Sequence, residues 1–402
     1  MTRVVVTGVG TVNPLARSAP AFAEALRAGS CAIAPLTVFD TTGFRSRIGA
    51  EVPDATPPAT LPGPLRRRIS RADVFALRAA IEALADADLG RTVAPERLGI
   101  VLGGTTGGML RAEACLRERM TGARRRYRHS ALVATPVSAS ADLLATVLGL
   151  AGPRLTLSTA CSSSANALGV ALDWIRLGYA DAVVAGGTES LCATVFAGFN
   201  SLHALSRTPC RPFDRRRDGL SLGEGAAIVV LESAERAARR GARSHAEVRA
   251  YGTSADAHHL TAPHPDGAGA VLAMRRALAQ ARLEPEDVDY INAHGTGTPL
   301  NDAVESAAIT AVFGAAARRL AVSSTKAAVG HTLGAAGAIE AVATIVALRD
   351  GFVPSTVTLE EPDEACGLDL VRGQGRPARL RWALSNSYGF GGNNTTLVLG
   401  RA

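Results

Sequence analysis

The sequence predicts a layered α/β fold, and three observations carry that reading. Short runs rich in β-branched residues recur along the chain without alternation, as in strands covered on both faces. Ala-rich amphipathic stretches of helical length lie between them. A plan of strand, small-residue turn and helix occurs at 155–178 and again, with a longer turn, at 320–350, a faint sign of duplication.

In chain order, "RVVVTG" (3–8) is the first strand. The glycines of "VTGVGTVNP" invite a dinucleotide-binding reading. However, Asn13 stands where a third Gly or Ala belongs, and no acidic residue closes a second strand about twenty residues on. A tight strand-to-loop turn is expected instead. "PDATPPATLPGP" (53–64) reads as a loop. Helical stretches follow at 71–87, 162–177, 268–282 and 334–349. Strands are expected in "RLGIVLGG" (97–104), "RLTLSTAC" (154–161), "DAVVAGG" (181–187), "AAIVVLE" (226–232), "VDYINAHG" (288–295), "RLAVSST" (319–325) and "NTTLVLG" (394–400).

Composition narrows the function classes. With 402 residues, 47% of them hydrophobic, the chain can bury a large core, yet no apolar run reaches the roughly 20 residues of a membrane span. The N-terminus enters a strand directly, unlike a signal peptide, and six scattered cysteines form no CxxC pair. The chain therefore reads as reduced and cytoplasmic. Net charge is +7, with clusters at Arg66–Arg68, at Arg124–Arg126 with Arg128, and at Arg215–Arg217. Aromatics at 4% are too few for base stacking, so nucleic acid is set aside. Solvated surface charge or an acidic protein partner remains.

Cys161 is the first candidate for chemistry. It closes a strand and opens a helix among small residues, the setting of a nucleophile at an elbow, where the helix dipole should lower its pKa. Cys31, Cys115, Cys192 and Cys366 read as buried structural residues. His294 and His331 each follow a strand, flanked by Gly and Thr, at the strand ends where α/β sheets place their sites. His258, His259 and His264 lack this setting, although their loop "DAHHLTAPHPDG" (256–267) is expected to approach the same region. No spacing resembles a zinc module. Lys326 is the only lysine among 43 Lys and Arg residues. An ammonium kept in so Arg-rich a chain points to a place too tight for a guanidinium.

Four motifs in this order, "STACSSSANAL", "NAHGTGTPLND", "SSTKAAVGHTLGAAGAIE" and "NSYGFGGNN", resemble those of the β-ketoacyl-acyl-carrier-protein synthases, condensing enzymes of the thiolase superfamily. The resemblance runs from Val4 to Leu399. It implies a thiolase-like five-layer αβαβα body of two duplicated halves, 1–245 carrying the Cys and 246–402 carrying both His, usually dimeric. It implies that Cys161 accepts the acyl group, and that His294 and His331 assist malonyl decarboxylation and stabilise the enolate. Lys326 and Glu340 would hold the surroundings of His331. The backbone N–H groups of Cys161 and Phe390 would form the oxyanion hole, with Gly389, Phe390 and Gly391 in a moving loop. Thr296 and Thr298 match positions that bind the phosphopantetheine arm, while Thr106 and Phe199 match the lining of the acyl pocket. No cofactor is implied beyond the phosphopantetheine of acyl carrier protein, and no metal.

Two histidines rather than a histidine and an asparagine point to the elongating class, and Cys161 argues against a non-catalytic chain-length factor. Thiolases use CoA and a different Cys/His arrangement. "ACSSS" and "HGTGTPLND" resemble polyketide ketosynthases more than housekeeping ones. The expectation is a ketosynthase of a type II polyketide system, polyene-forming among the options, paired with a chain-length factor. A homodimeric fatty-acid elongation enzyme and a non-catalytic subunit are the alternatives. The carrier protein, being acidic, gives the Arg clusters a use.

Overall fold

The computed structural model describes residues 2–90, 92–122 and 129–402. The cluster Arg124–Arg126 with Arg128 lies outside the described residues. Ten strands form two sets of five. The first set is β1 (Val4–Val12), β2 (Leu98–Gly103), β3 (Arg154–Leu157), β4 (Ala182–Glu189) and β5 (Gly225–Ser233). The second is β6 (Ala246–Ala255), β7 (Tyr290–Asn292), β8 (Ala321–Ser323), β9 (Trp382–Gly389) and β10 (Asn393–Arg401). Across the sheet the order is β8-β7-β9-β10-β6-β1-β5-β4-β2-β3, with the short strand Asp369–Leu370 outside β8.

Each set repeats one topology. β2 is parallel to β3 and β4, and β5 is antiparallel to β4 and β1. Likewise β7 is parallel to β8 and β9, and β10 is antiparallel to β9 and β6. The sets join where β1 meets β6 through Val5↔Glu247 and Val6↔Ala246. The faint echo in the sequence is thus a repeat of strand order.

Helices fill three layers. α1 (Arg71–Ala87) packs Leu77 and Ala83 with Ile100 and Ile228 on one outer face. α2 (Ser163–Arg176) lies in the middle layer. α3 (Ala268–Ala281) and α4 (Pro299–Phe313) cover the other outer face through Met274 and Ile309. α5 (Ala336–Asp350) shares the middle layer with α2, and every residue from Ala336 to Leu348 is buried. A helix covered on all sides needs small or apolar residues all round, which is what its run of Ala, Gly, Val and Ile supplies. The result is αβαβα.

Three expectations are corrected. Gly8 and Gly10 do not make a turn: β1 runs on through both to Val12. A Cβ there would lie 2.0 Å from Ala83 O and 2.1 Å from Ala79 O, so the glycines let α1 lie directly on the strand. The strand expected to end at Cys161 stops at Leu157. Cys31 is exposed and Cys115 half-buried, whereas Cys192 and Cys366 are buried as expected.

Candidate active site

The chain leaves β3 and turns through Thr159–Cys161 before α2 begins at Ser163. Ala160 takes φ 52°, a conformation few non-glycine residues hold. Thr159 N–H donates to Ser163 Oγ (2.8 Å) and Ser162 Oγ donates to Thr159 O (2.8 Å), which fixes this elbow. The backbone N–H groups of Phe390 and of Cys161 itself lie against the sulfur. Burial nevertheless pushes the Cys161 thiol up to about 11, against the lowering effect of Lys326 and those N–H groups. The expected depression is therefore reversed. The sulfur is desolvated and lies two residues ahead of the first helical residue, so burial outweighs the helix terminus.

His294 follows β7, and His331 follows β8 and a one-turn helix, Lys326–Val329. His331 Nε2 is 3.0 Å from Cys161 Sγ. The two imidazoles stand nearly perpendicular, centroids 5.4 Å apart. Both are held well below the ordinary histidine range by burial and then by the Lys326 charge, with His331 adding to the effect on His294. Both rings are thus neutral near pH 7, able to accept a proton or to donate one hydrogen bond each.

Lys326 is 1% exposed and ion-paired with Glu340 on α5. Burial raises the Glu340 carboxyl to about 7, opposed by the adjacent ammonium. Thr296 and Thr298 share a hydroxyl–hydroxyl hydrogen bond of 2.9 Å. Gly389 passes close to the elbow: a Cβ on it would lie 3.1 Å from Cys161 N. Gly391 takes φ 78° and its N–H donates to Leu260 O at 2.8 Å. The Phe390 ring stacks on Phe199 with centroids 5.4 Å apart.

A cavity of about 370 Å³ brings Cys161, His294 and His331 together with Thr296, Thr298, Phe199, Gly389 and Phe390. Lys326 and Glu340 lie behind it, and Thr106 is buried beside Glu189 rather than on the cavity wall. Asp256, Thr261, Ala262 and Pro263 of the 256–266 loop also line it, but the loop's histidines do not. His203, unremarkable in sequence, does.

Sequence reasoning missed two carboxylates beneath the histidine loop. Glu305 accepts from the backbone N–H groups of His294 and Gly295, both at 2.8 Å. Asp302 accepts from those of Thr296 (3.1 Å), Gly297 (3.1 and 3.2 Å) and Phe213 (2.7 Å). Their signal was an acidic residue in the first turns of a helix just after a glycine loop, where carboxylates gather orphan N–H groups. Tyr388, 5.8 Å from the His294 ring, was also missed. Among the described residues no group of three or more His, Cys, Asp or Glu side chains is placed to hold a metal ion.

The Arg clusters separate. Arg215 pairs with Glu361, Arg216 with Asp214 and Glu360, and Arg217 with Asp363. Arg217 also donates to Thr298 O (3.2 Å) and Pro299 O (3.0 Å), bracing the threonine loop. The exposed side chains of Arg66, Arg67 and Arg68 make no ion pair among the described residues.

Comparison with known proteins shows the family. Residues 1–237 match the family model "Beta-ketoacyl synthase, N-terminal domain", and residues 245–360 match "Beta-ketoacyl synthase, C-terminal domain". The chain is 40% identical to 3-oxoacyl-[acyl-carrier-protein] synthase 2 of Coxiella burnetii, covering 99% of this chain and 98% of the relative. The ishigamide ketosynthase/chain length factor structure superposes with a TM-score of 0.94 at 37% identity, over 100% of this chain and 99% of that one. A type II PKS acyl-carrier protein in complex with its ketosynthase bound to the hexaketide gives 0.92 at 31% identity, again over 100% and 99%. The chain belongs to the β-ketoacyl synthase family.

Proposed function

We propose that Cys161 takes an acyl group from acyl carrier protein and that His294 and His331 condense it with malonyl-acyl-carrier protein. The single observation that carries this reading is the 3.0 Å contact of His331 Nε2 with Cys161 Sγ, beside the perpendicular His294. A neutral His331 can take the thiol proton as the sulfur attacks the acyl thioester, then return it to the departing carrier thiolate. The N–H groups of Cys161 and Phe390 receive the oxyanion. Malonyl carrier then enters past Thr296 and Thr298. Loss of carbon dioxide places an electron pair on the α-carbon and negative charge on the thioester oxygen, where two neutral imidazoles donate hydrogen bonds. The enolate carbon attacks the acyl carbonyl, and collapse expels Cys161 as thiolate. Lys326 and Glu340 fix the surroundings of His331, and the Gly389–Gly391 loop moves Phe390 aside to admit the acyl chain.

The carrier docks on uncommitted positive charge. Among the described clusters Arg66–Arg68 supply it, because Arg215–Arg217 are spent on acidic neighbours and the threonine loop. A partner subunit covers the β3 edge of the sheet, which pairs on one side only, and the helix Met109–Met120, where Leu116 and Met120 are 58% and 80% exposed.

The pathway reading is a type II polyketide ketosynthase working with a chain-length factor. Its support is the likeness to the ishigamide ketosynthase/chain length factor. A fatty-acid elongation enzyme is the second reading, favoured by the 40% identity to 3-oxoacyl-[acyl-carrier-protein] synthase 2. Reconstitution with acyl- and malonyl-carrier proteins separates them. Turnover by this chain alone supports the fatty-acid reading. Turnover only with a Cys-less sister subunit supports the polyketide reading.

A further inference from the structure

Glu189 ends β4 and is fully buried, with no ion pair to a basic side chain among the described residues. Its carboxylate gathers five donors from two segments. Thr105 N–H (2.9 Å) and Thr106 N–H (2.8 Å) donate to it, as do both threonine hydroxyls. The fifth is Gly334 N–H at 3.0 Å. Gly334 lies three residues after His331, and Leu333 between them takes φ 49°, a strained choice for a branched apolar residue. Such a turn persists only when its surroundings hold it. The His331 backbone is tied on one side, its N–H donating to Ser221 O (2.7 Å) and its O accepting from Gly223 N–H (2.9 Å). Glu189 supplies the tie on the other side. The packing leaves no slack: a Cβ on Gly334 would lie 2.6 Å from Gly104 Cα and 2.8 Å from Glu189 Oε2.

We propose that Glu189 is a positioning residue for His331, locking the strained turn after it to the Gly104–Thr106 segment. The proposal rests on the reading of His331 as a catalytic group. Movement of the threonine segment is passed to His331 through one carboxylate, so the position of that segment sets the distance between His331 Nε2 and the Cys161 sulfur. The mirror of this arrangement is Glu305, which holds the His294 backbone.

The test uses the full chain in its active assembly and three variants: Glu189→Gln, Thr105→Val and His331→Ala. Gln keeps the shape but turns an NH₂ group toward N–H and O–H donors, and Val removes one hydroxyl donor alone. Steady-state condensation and the pH profile of Cys161 alkylation by iodoacetamide are recorded, with circular dichroism to count folded protein. Expected for Glu189→Gln is a turnover loss of about tenfold or more, with the KM for malonyl carrier changed less than about threefold. Its alkylation profile shifts as well, because the imidazole leaves the sulfur. Thr105→Val moves both readouts the same way by a smaller factor, and stands as the test if the Gln variant does not fold. A dead His331→Ala together with folded Glu189→Gln or Thr105→Val that keep wild-type turnover and profile overturns the proposal. An active His331→Ala overturns the underlying reading instead.

Discussion

At the scale of the residue, the site is governed by burial. Cys161, His294, His331, Lys326 and Glu340 are each no more than 7% exposed, so every charge there is decided by desolvation and a few contacts. The sign for Cys161 follows. A thiol raised to about 11 is protonated at neutral pH, and the thiolate fraction grows with pH up to that value. Alkylation of Cys161 by iodoacetamide should therefore climb steadily from pH 7 to 10. A plateau at neutral pH, the mark of a preformed thiolate–imidazolium pair, would refute this. Lys326 gives a second prediction. Arg cannot place a wide planar fork where a 1%-exposed ammonium meets Glu340. Lys326→Arg should fold yet lose condensation by about 10²-fold, since a displacement of roughly 1 Å at a reacting group costs that much. Turnover of the purified variant near the wild-type value would remove the tight-site argument. The lysine's confined setting was legible in sequence because it stood alone. The sequence points to a depressed thiol where the structure raises it, because a linear sequence shows helix boundaries better than it shows desolvation.

At the scale of the element, legibility depended on what each strand buries. β1, β2, β4 and β5 stood out because both faces are apolar. β6 was missed: its burial fades outward past Arg249 and Thr253, which breaks the apolar run. β9 was missed for a functional reason. Its Ser385, Asn386 and Ser387 are buried polar residues behind the site, so the strand does not look like core. The loop that follows β9 yields a third prediction. Gly389 has φ −106°, which alanine accepts, so Gly389→Ala acts through contact alone. The added methyl meets Cys161 N and the Ala160 Cβ, and moves the Phe390 N–H away from the sulfur. Acylation should slow by about 10²-fold, as when an oxyanion donor is lost, with thermal stability little changed. Stopped-flow acylation together with a melting curve checks both parts.

At the scale of the whole molecule, two copies of one strand order place their middle helices back to back, and the site forms from both. The first half contributes the elbow after β3, and the second contributes the turns after β7, β8 and β9. The family resemblance implied two halves, and the strand order shows the repeat. Three-dimensional details were not legible in sequence: Glu305, Asp302 and Glu189 act on backbone N–H groups, and such contacts leave no pattern in side-chain spacing. Surface charge supplies the fourth prediction. Reversing Arg66, Arg67 and Arg68 to Glu should raise the KM for carrier protein about tenfold and flatten its salt dependence, because rim charges steer association. Reversing Arg215 and Arg216, already neutralised by Glu361 and Glu360, should change it less than about twofold. Equal effects would reassign the docking face.

The most direct test of the central claim is the intact and peptide mass of the protein after incubation with acyl-carrier protein, followed by malonyl-carrier protein. The account predicts one acyl group on the Cys161 peptide in the first step. In the second step that mass disappears as β-ketoacyl-carrier forms. An unmodified Cys161, both alone and with a Cys-less sister subunit, or an acyl group carried on another cysteine, would contradict it.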